Sequence, residues 1–342
     1  MKMNLILCFL FANSFLLLEA QITSTEHDLN KASDDFFTRK VYMLGETHIF
    51  PQENNELFRI LIDRVIKAGS RNINLCYEYP PSFVYFLKKY FLSEKDSAAL
   101  VQEGYILESP TLQTIDYIGK YRDSVTFNFI SIDIEFGSDF RSVREMQFEL
   151  LGMDTPEFYN FEAPDFLYPI RNARSRSKIQ KWAQSFMMDD SLQAKCQSRI
   201  DSTYWLYFYQ SMRSIASYGF MKGGKTDRKL AIRDAHMAQT IEDICDDSSV
   251  CVMSLGQMHI KPQEGKQTCN IVQNLKRIQR NDICLIPIVY PNGEWLGSLS
   301  IYYKNEYKTY PKDGPYKELI QAGIFDMIVF PPGQISEELE GP

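Results

Sequence analysis

Two of the four histidines share a short motif in which a glycine precedes the histidine by three positions. The first motif reads Gly45-Glu46-Thr47-His48, and the second reads Gly256-Gln257-Met258-His259. Each motif directly follows an apolar run, and this repetition is much harder to assign to chance than a single occurrence. An imidazole with a pKa of about 6.5 suits acid–base chemistry near neutral pH. We therefore interpret His48 and His259 as candidate catalytic residues.

Acidic residues follow the same kind of apolar run at three places in the chain. Glu46 lies inside the first motif, and Glu78 follows the run of residues 72–77. Asp133 and Glu135 end a third run. A carboxylate is costly to bury alone, so each of them needs a partner or a chemical role. One such residue would indicate an ordinary ion pair, but carboxylates at three strand ends favour a common site.

An arginine begins the helical pattern IRDAHMAQTI. Arg233, Met237 and Ile241 are spaced four residues apart and therefore share one face of the predicted helix. The apolar members of this face should be buried, which directs Arg233 along the core towards the strand ends. An inward arginine needs carboxylate partners, and the candidates are Glu46, Glu78 and Asp133. His236 lies one position off this face, so we predict a supporting or surface role for it.

The elements that must position these residues are short apolar runs that alternate with helical patterns. We predict strands at residues 41–44, 72–77, 126–134, 250–255, 283–290 and 325–330. We predict helices at residues 55–68, 82–91, 112–121 and 233–245. Strands separated by helices indicate an α/β fold with a central, mostly parallel sheet flanked by helices. Ligands bind beyond the carboxyl ends of such strands, which is where the histidines and carboxylates fall.

Residues from about 140 to 230 interrupt this alternation and are rich in aromatic side chains. We predict a mostly helical insertion that packs over one end of the sheet. Its aromatic residues form either the core of a helical subdomain or a lid that helps to bind a substrate. The remainder of residues 21–342 is predicted to form a single α/β domain around this insertion.

Residues 1–20 are predicted to be a secretory signal peptide. Lys2 places a positive charge near the amino terminus, and an apolar run covers residues 5–18. Cleavage is expected near Ala20. No later segment approaches about 18 uninterrupted apolar residues, so no stable membrane span is expected after cleavage. We therefore predict a secreted or periplasmic protein. Cleavage leaves six of the seven cysteines, which permits disulfides without requiring them.

The balance of acidic and basic residues limits the classes of molecule that the chain is expected to bind. The chain has 44 acidic and 37 basic residues and a formal net charge of -7, which argues against nucleic-acid binding. We expect a small-molecule or peptide substrate, and the oligomeric state stays open.

The motifs, taken in order, resemble the superfamily that joins erythromycin esterases, haem-binding ChaN proteins, TraB/GumN proteins and Tiki proteases. They are GETH, YEYP, SIDIE, IRDAHMAQTI and LGQMHI, and the resemblance spans about residues 41–330. The resemblance implies a site that is formed by Glu46, His48, Glu78, Arg233 and His259. Gly45, Asp133, Glu135 and Gly256 would support it.

The motifs are nearest to those of erythromycin esterases, and this likeness implies a hydrolase of an ester, lactone or amide. His48 would take a proton from water, and Glu46 or Glu78 would orient it or carry a second proton. Arg233 and His259 would stabilise the developing oxyanion. The chain has no GxSxG motif, which argues against a serine hydrolase of the α/β-hydrolase type. This mechanism needs no cofactor.

Two alternatives follow from other members of the superfamily. Tiki-like members imply a metal-dependent protease, in which a divalent metal (Zn or Mn) would be bound by His48, His259, Glu46 and Glu78. ChaN-like members imply a non-catalytic protein for haem or iron uptake, with iron ligands such as Tyr77, Tyr79 or an aromatic residue of the insertion. The chain has no CxxCH motif, so covalent attachment of a c-type haem is excluded.

Overall fold

Parallel strands form the sheet that the alternating pattern predicts. A computed structural model describes residues 29, 34–46, 51–93, 109–137, 140–153, 164–221, 227–260 and 271–288. Within these residues the sheet has five strands, which are β1 (Val41–Glu46), β2 (Asn72–Tyr77), β3 (Thr126–Ser131), β4 (Val250–Gly256) and β5 (Ile283–Pro287). Their order is β3-β2-β4-β1-β5, and all neighbours run parallel. The predicted α/β fold with a parallel sheet is confirmed.

Helices connect the strands and cover the sheet. They are α1 (Pro51–Lys67), α2 (Pro81–Phe91), α3 (Ser109–Ile118), α4 (Phe140–Leu150), α5 (Tyr168–Arg171), α6 (Arg176–Met188), α7 (Asp190–Gln197), α8 (Ser202–Tyr218), α9 (Asp227–Ile244) and α10 (Ile271–Asn274). Short 3-10 turns lie at Asp34–Thr38, Gly119–Tyr121, Asp165–Leu167, Gln257–His259 and Arg280–Asp282. Gly69 follows α1 with a φ of 108°, a conformation that favours glycine and ends the helix there.

The strands bury both of their faces, as expected for a parallel sheet between two helical layers. Alternate residues of β1 enter different clusters, because successive side chains of a strand point to opposite faces. Tyr42 and Leu44 join the larger cluster, which also contains the buried residues of α1, α2 and α8. Val41 and Met43 join the smaller one, together with Met237 of α9.

The strand and helix bounds differ from the predictions mainly at the ends. β1 continues through Gly45 to Glu46, because both residues pair with the end of β4. β3 ends at Ser131 and not at residue 134, and the Ser131 hydroxyl donates to the carbonyl of Tyr79 where the chain leaves the sheet. α9 begins before residue 233, at Asp227. The predicted strand at residues 325–330 and the end of the one at 283–290 lie outside the described residues.

The aromatic-rich region is helical, as predicted, and its rings pack on one another. Trp182 and Phe186 of α6 are buried and pack against Phe208 of α8. Tyr204 of α8 contacts Tyr85 of α2, with ring centroids 5.3 Å apart. These buried rings therefore form a helical core that joins the insertion to one side of the sheet.

Five cysteines fall in the described residues, and each is a free thiol, with Cys76 buried. No helix in these residues combines the length and the apolar character that crossing a membrane requires. The predicted signal peptide and its cleavage point near Ala20 lie outside the described residues.

Candidate functional site

The site begins where β2 and β4 end side by side. Tyr77, the last residue of β2, pairs with Ser254 of β4, so Glu78 emerges next to Gly256. The backbone N–H of Gly256 donates to Oε2 of Glu78 at 2.7 Å. The second glycine motif thus fixes the carboxylate that follows the second strand.

Arg233 reaches this carboxylate from the first half of α9. Its Nη2 donates to Oε1 of Glu78 at 2.7 Å and to Oδ2 of Asp133 at 2.6 Å, and its Nε donates to Oδ1 of Asp133 at 3.1 Å. The guanidinium also lies over the ring of Phe136, 5.2 Å from its centroid. Burial acts to lower the pKa of Arg233, but Asp133 and Glu78 raise it above its ordinary value, so the side chain stays cationic.

His259 joins the same carboxylate to a second one. Its Nε2 lies 3.0 Å from Oε1 of Glu78, and its Nδ1 makes a hydrogen bond with Oδ1 of Asp234. Burial acts to lower the pKa of His259, but Glu78 and Asp234 raise it to about 10. The ring is therefore an imidazolium at neutral pH, and both of its N–H groups are engaged.

Asp234 was not among the predicted site residues. It follows Arg233 directly, and both side chains face the same edge of the sheet although neighbours on a helix usually diverge by about 100°. The Asp234 side chain is buried, burial raises its pKa, and His259 opposes that shift. Its Oδ2 has no hydrogen-bond partner among the described residues. The adjacent Arg-Asp pair at the start of an apolar helix face was the signal that could have revealed it.

Glu135 has a different place from the other strand-end acids. Its Oε1 accepts from the backbone N–H of Ser82 at 3.1 Å, and its Oε2 accepts from the hydroxyl of Ser82 at 2.9 Å. The backbone N–H of Glu135 donates to Oγ of Ser214. The carboxylate thus binds the first turn of α2, where free N–H groups favour an anion.

His236 lies behind the cluster. Its ring is hydrogen-bonded to the backbone of Asp133 and contacts the ring of Tyr218 edge-on, with centroids 5.6 Å apart. Burial lowers its pKa to about 4, so it is neutral in the folded protein. Of the two roles predicted for His236, supporting or surface, the contact with the backbone of Asp133 favours the supporting one.

Glu46 lies at the edge of an open pocket. Its Oε2 accepts a hydrogen bond from the side-chain amide of Asn54 in α1. The pocket has about 620 Å³ of empty space, including its open mouth. It is lined by Glu46, Pro51, Asn54, Asn55, Phe58, Tyr77, Glu78, Tyr79, Thr111 and Ser254. No residue of the aromatic insertion is among them, so the aromatic lid is not part of this pocket as it is described.

Gly45 is required by a close approach of the second motif. A Cβ atom at this position would lie 2.9 Å from Cγ1 of Ile260 and 3.4 Å from Cγ of Gln257. Ile260 directly follows His259. A side chain at position 45 would therefore displace the segment that carries the imidazole.

β1 and β4 are adjacent, which is the arrangement expected to bring the two histidine motifs together. His48 itself lies outside the described residues.

The described donor atoms do not form a metal site. Among these residues, no group of three or more His, Cys, Asp or Glu side chains is arranged to hold a metal ion. Both nitrogens of His259 and both oxygens of Glu78 bond to protein groups. His48 lies outside the described residues, so a metal site formed by His48, His259, Glu46 and Glu78 stays a prediction. In the haem alternative, burial raises the pKa of Tyr77 and thereby opposes the phenolate that binds iron.

No family model matches this chain, and no curated protein matches its sequence. Solved structures do resemble it. A mutant of the erythromycin esterase EreC in its open conformation is 12% identical, with 77% of this chain and 74% of that chain covered and a TM-score of 0.45. A succinoglycan biosynthesis protein is 10% identical, with 75% and 68% covered and a TM-score of 0.48. ChaN of Campylobacter jejuni, with cofacially bound heme, is 12% identical, with 75% and 84% covered and a TM-score of 0.28.

Two groups that the motif resemblance names, an erythromycin esterase and a ChaN protein, are among these structures. These likenesses assign no activity to this chain.

Proposed function

We propose that this chain is a hydrolase that activates water to cleave an ester, lactone or amide. The observation that supports this most is the convergence of Glu78, Arg233 and His259 beside an open pocket at the carboxyl edge of a parallel sheet. Ligands bind at this edge in open α/β folds. The side chains of Glu78, Arg233 and His259 can orient a general base and stabilise an anion. Acyl hydrolysis requires both of these actions.

His48 is the general base in this proposal. It follows Glu46, the last residue of β1, by two positions. An imidazole of ordinary pKa is about half protonated near pH 6.5 and therefore accepts a proton from water at neutral pH. His259 is not suited to that task, because its pKa of about 10 keeps it protonated.

Glu78 is a positioning group. It accepts hydrogen bonds from Arg233, His259 and the backbone of Gly256, and two of these donors are cationic. Such donors stabilise the carboxylate form, which is suited to orienting His48 or the attacking water. Glu46, on the pocket wall beside Asn54, is then the group that carries a second proton.

Arg233 stabilises the oxyanion. Its Nε and Nη2 are bonded to Asp133 and Glu78, whereas its Nη1 makes no hydrogen bond to any described residue. In this proposal Nη1 is the cationic donor for a substrate oxygen, although Arg233 itself is not among the described residues that line the pocket. His259 holds Glu78 in place while this happens, because both of its N–H groups are already engaged.

The test is turnover of a panel of p-nitrophenyl esters and lactones by the purified protein and by His48→Ala. Removing a general base should lower kcat by about 10²–10⁴-fold. His27→Ala, a histidine outside the motifs, is the matched control and should retain activity. Unchanged turnover by His48→Ala on a substrate that the wild type cleaves would contradict the proposed role of His48.

The same preparation tests the two alternatives. Activity should survive dialysis against EDTA, and loss that Zn or Mn restores would favour the metal-dependent reaction. Addition of haemin should give only its free spectrum, and a shifted visible absorption band would favour haem binding.

We also propose that the protein is exported. The N-terminal pattern of Lys2, an apolar run and Ala20 supports this. Mass spectrometry of the exported protein should give an amino terminus at Gln21. A product that retains residues 1–20 in the cytoplasm would contradict export.

A further inference from the structure

Three of the described cysteines lie close together where α9 ends. Cys245 directly follows α9, Cys251 lies in β4, and Cys76 lies in β2, the strand beside β4. The thiol groups of Cys245 and Cys251 are hydrogen-bonded to each other, and the thiol of Cys251 is also hydrogen-bonded to that of Cys76. The three sulfur atoms therefore form a row that runs from the end of the helix into the sheet.

The side chain of Asn74 holds the first two of these cysteines next to each other. Asn74 pairs with Cys251 in the sheet. Its Nδ2 donates to the carbonyl of Ile244 at 3.1 Å and to Sγ of Cys251 at 3.7 Å. One amide thus contacts both the residue that precedes Cys245 and the sulfur of Cys251. The pair is therefore fixed by packing between the helix end and the sheet, and not only by the short chain of residues 246–250.

The three thiols differ in their access to solvent. Cys76 and Cys251 are fully buried in the smaller hydrophobic cluster, whereas Cys245 is only partly buried and packs against that cluster. Asp246 and Asp247, which follow Cys245, are exposed. A reagent that arrives from solvent therefore reaches Cys245 first, and Cys251 is the buried thiol that is in contact with it.

We propose that Cys245 and Cys251 form a modification site, which a small-molecule disulfide such as oxidised glutathione converts to a protein disulfide. Cys245, as its thiolate, attacks one sulfur of the oxidant, whose S–S bond breaks and releases one thiolate. Cys251, as its thiolate, then attacks Sγ of Cys245 in the mixed disulfide and releases the second thiolate. The protons of the two cysteines pass to the two released thiolates. Two cysteine thiols are thus oxidised while one small disulfide is reduced.

The new bond ties the end of α9 to β4. α9 carries Arg233 and Asp234 in its first half, and β4 leads to His259. A disulfide between these elements restricts the unfolded chain and thereby stabilises the fold that holds the charged cluster together. The oxidised protein should therefore unfold at a higher urea concentration than the reduced one. This inference does not depend on the proposed hydrolysis, because it concerns the stability of the fold.

The rate of the reaction should depend on pH. The hydrogen bond to Cys251 and burial both raise the pKa of Cys245, so little of its thiolate is present at neutral pH. Oxidation of the folded protein should therefore be slow at about pH 7 and faster at about pH 9, because the thiolate is the attacking form.

Variants separate the two steps. Cys251→Ser lacks the second thiol, so Cys245 should remain as a mixed disulfide and carry the added mass of glutathione. Cys245→Ser should form neither a bridge nor an adduct at Cys251, because Cys251 is buried. Cys196→Ser, which removes a buried thiol of the larger hydrophobic cluster, is the control and should form the bridge. Oxidation should raise the urea midpoint of the wild type and of Cys196→Ser but not that of Cys245→Ser. An equal rise in Cys245→Ser would contradict the assignment.

Peptide mass spectrometry of the wild-type full chain tests the pairing directly and needs no variant to fold. The protein is incubated with oxidised glutathione, its free thiols are alkylated, and it is digested without reduction by a protease that cleaves before aspartate. Cleavage before Asp246 separates the two cysteines unless a disulfide joins them. The expected product is a cross-linked pair of peptides that holds Cys245 and Cys251. A bond from either of them to Cys76 or Cys269, or alkylation of both in every molecule, overturns the inference.

Discussion

His259 Nε2 lies 3.0 Å from Oε1 of Glu78, although the two residues are 181 positions apart in the chain. The contact exists because β2 and β4 are neighbours and end at the same edge of the sheet. Asp234 holds the opposite nitrogen of the ring, and Arg233 holds the same oxygen of Glu78. Three carboxylates and two cations thus share one buried cluster, in which each charge is met by at least one opposite charge.

Folding should become less favourable at alkaline pH because of His259. Its pKa is raised from the ordinary value of 6.5 to about 10, so the folded state holds the proton more tightly than the unfolded state. The stabilisation is fully present below pH 6.5 and is lost as the pH rises towards 10. Urea unfolding between pH 6 and pH 10 should show that the free energy of unfolding falls as the pH rises. His259→Gln should show a smaller fall over the same range. Equal pH dependence of the two proteins would contradict the raised pKa.

Asp234→Asn should be strongly destabilising. The substitution leaves the buried His259 cation with one carboxylate partner fewer, and breaking a buried pair in this way costs about 3–5 kcal/mol. The pKa of His259 should fall as well, since Asp234 contributes to raising it. Urea unfolding and an NMR titration of the imidazole measure the two effects. The control is Asp123→Asn, at an exposed position, which should change neither the free energy of unfolding nor the pKa of His259. A wild-type imidazole titration in Asp234→Asn would refute the pairing.

Two buried tyrosines should respond oppositely to loss of their hydroxyl groups. The hydroxyl of Tyr77 has no hydrogen-bond partner among the described residues, whereas that of Tyr207 donates to the carbonyl of Phe129 at 2.8 Å. Tyr77→Phe should therefore raise the free energy of unfolding by about 1 kcal/mol, and Tyr207→Phe should lower it by about 1 kcal/mol. Chemical denaturation distinguishes the two signs. Destabilisation by Tyr77→Phe would show that the Tyr77 hydroxyl makes a hydrogen bond in the folded protein.

Gly45→Ala should disturb the second motif through Ile260. The added Cβ would meet the end of the Ile260 side chain, and overpacking of this kind costs about 1–3 kcal/mol. Ile260→Val removes the Cδ1 atom and should relieve part of the cost, so the double variant is more stable than the sum of the two single changes predicts. Strictly additive changes in the free energy of unfolding would exclude this contact as the cause.

The spacing of residues predicted the parallel sheet and the inward direction of Arg233, because both depend on periodic apolar patterns. Spacing could not select the partners of Arg233 among three candidate acids, since the choice depends on strand order. The structure places Glu78 and Asp133 there. Asp234 escaped prediction because helical periodicity places its side chain away from that of Arg233. Glu135 was grouped with the site by its strand-end position, but the chain leaves the sheet after Ser131 and carries this acid to α2.

The central claim is that the cluster around Glu78 forms a hydrolytic site, and kcat/KM of Glu78→Gln tests it most directly. Glutamine keeps the shape but replaces the carboxylate that Arg233, His259 and Gly256 hold. On a substrate that the wild type cleaves, kcat/KM should fall by about 10²-fold or more. The control is Glu145→Gln, which changes an acid on α4 that is paired with Arg141, and it should retain the wild-type value. A folded Glu78→Gln protein with wild-type kcat/KM would contradict the account.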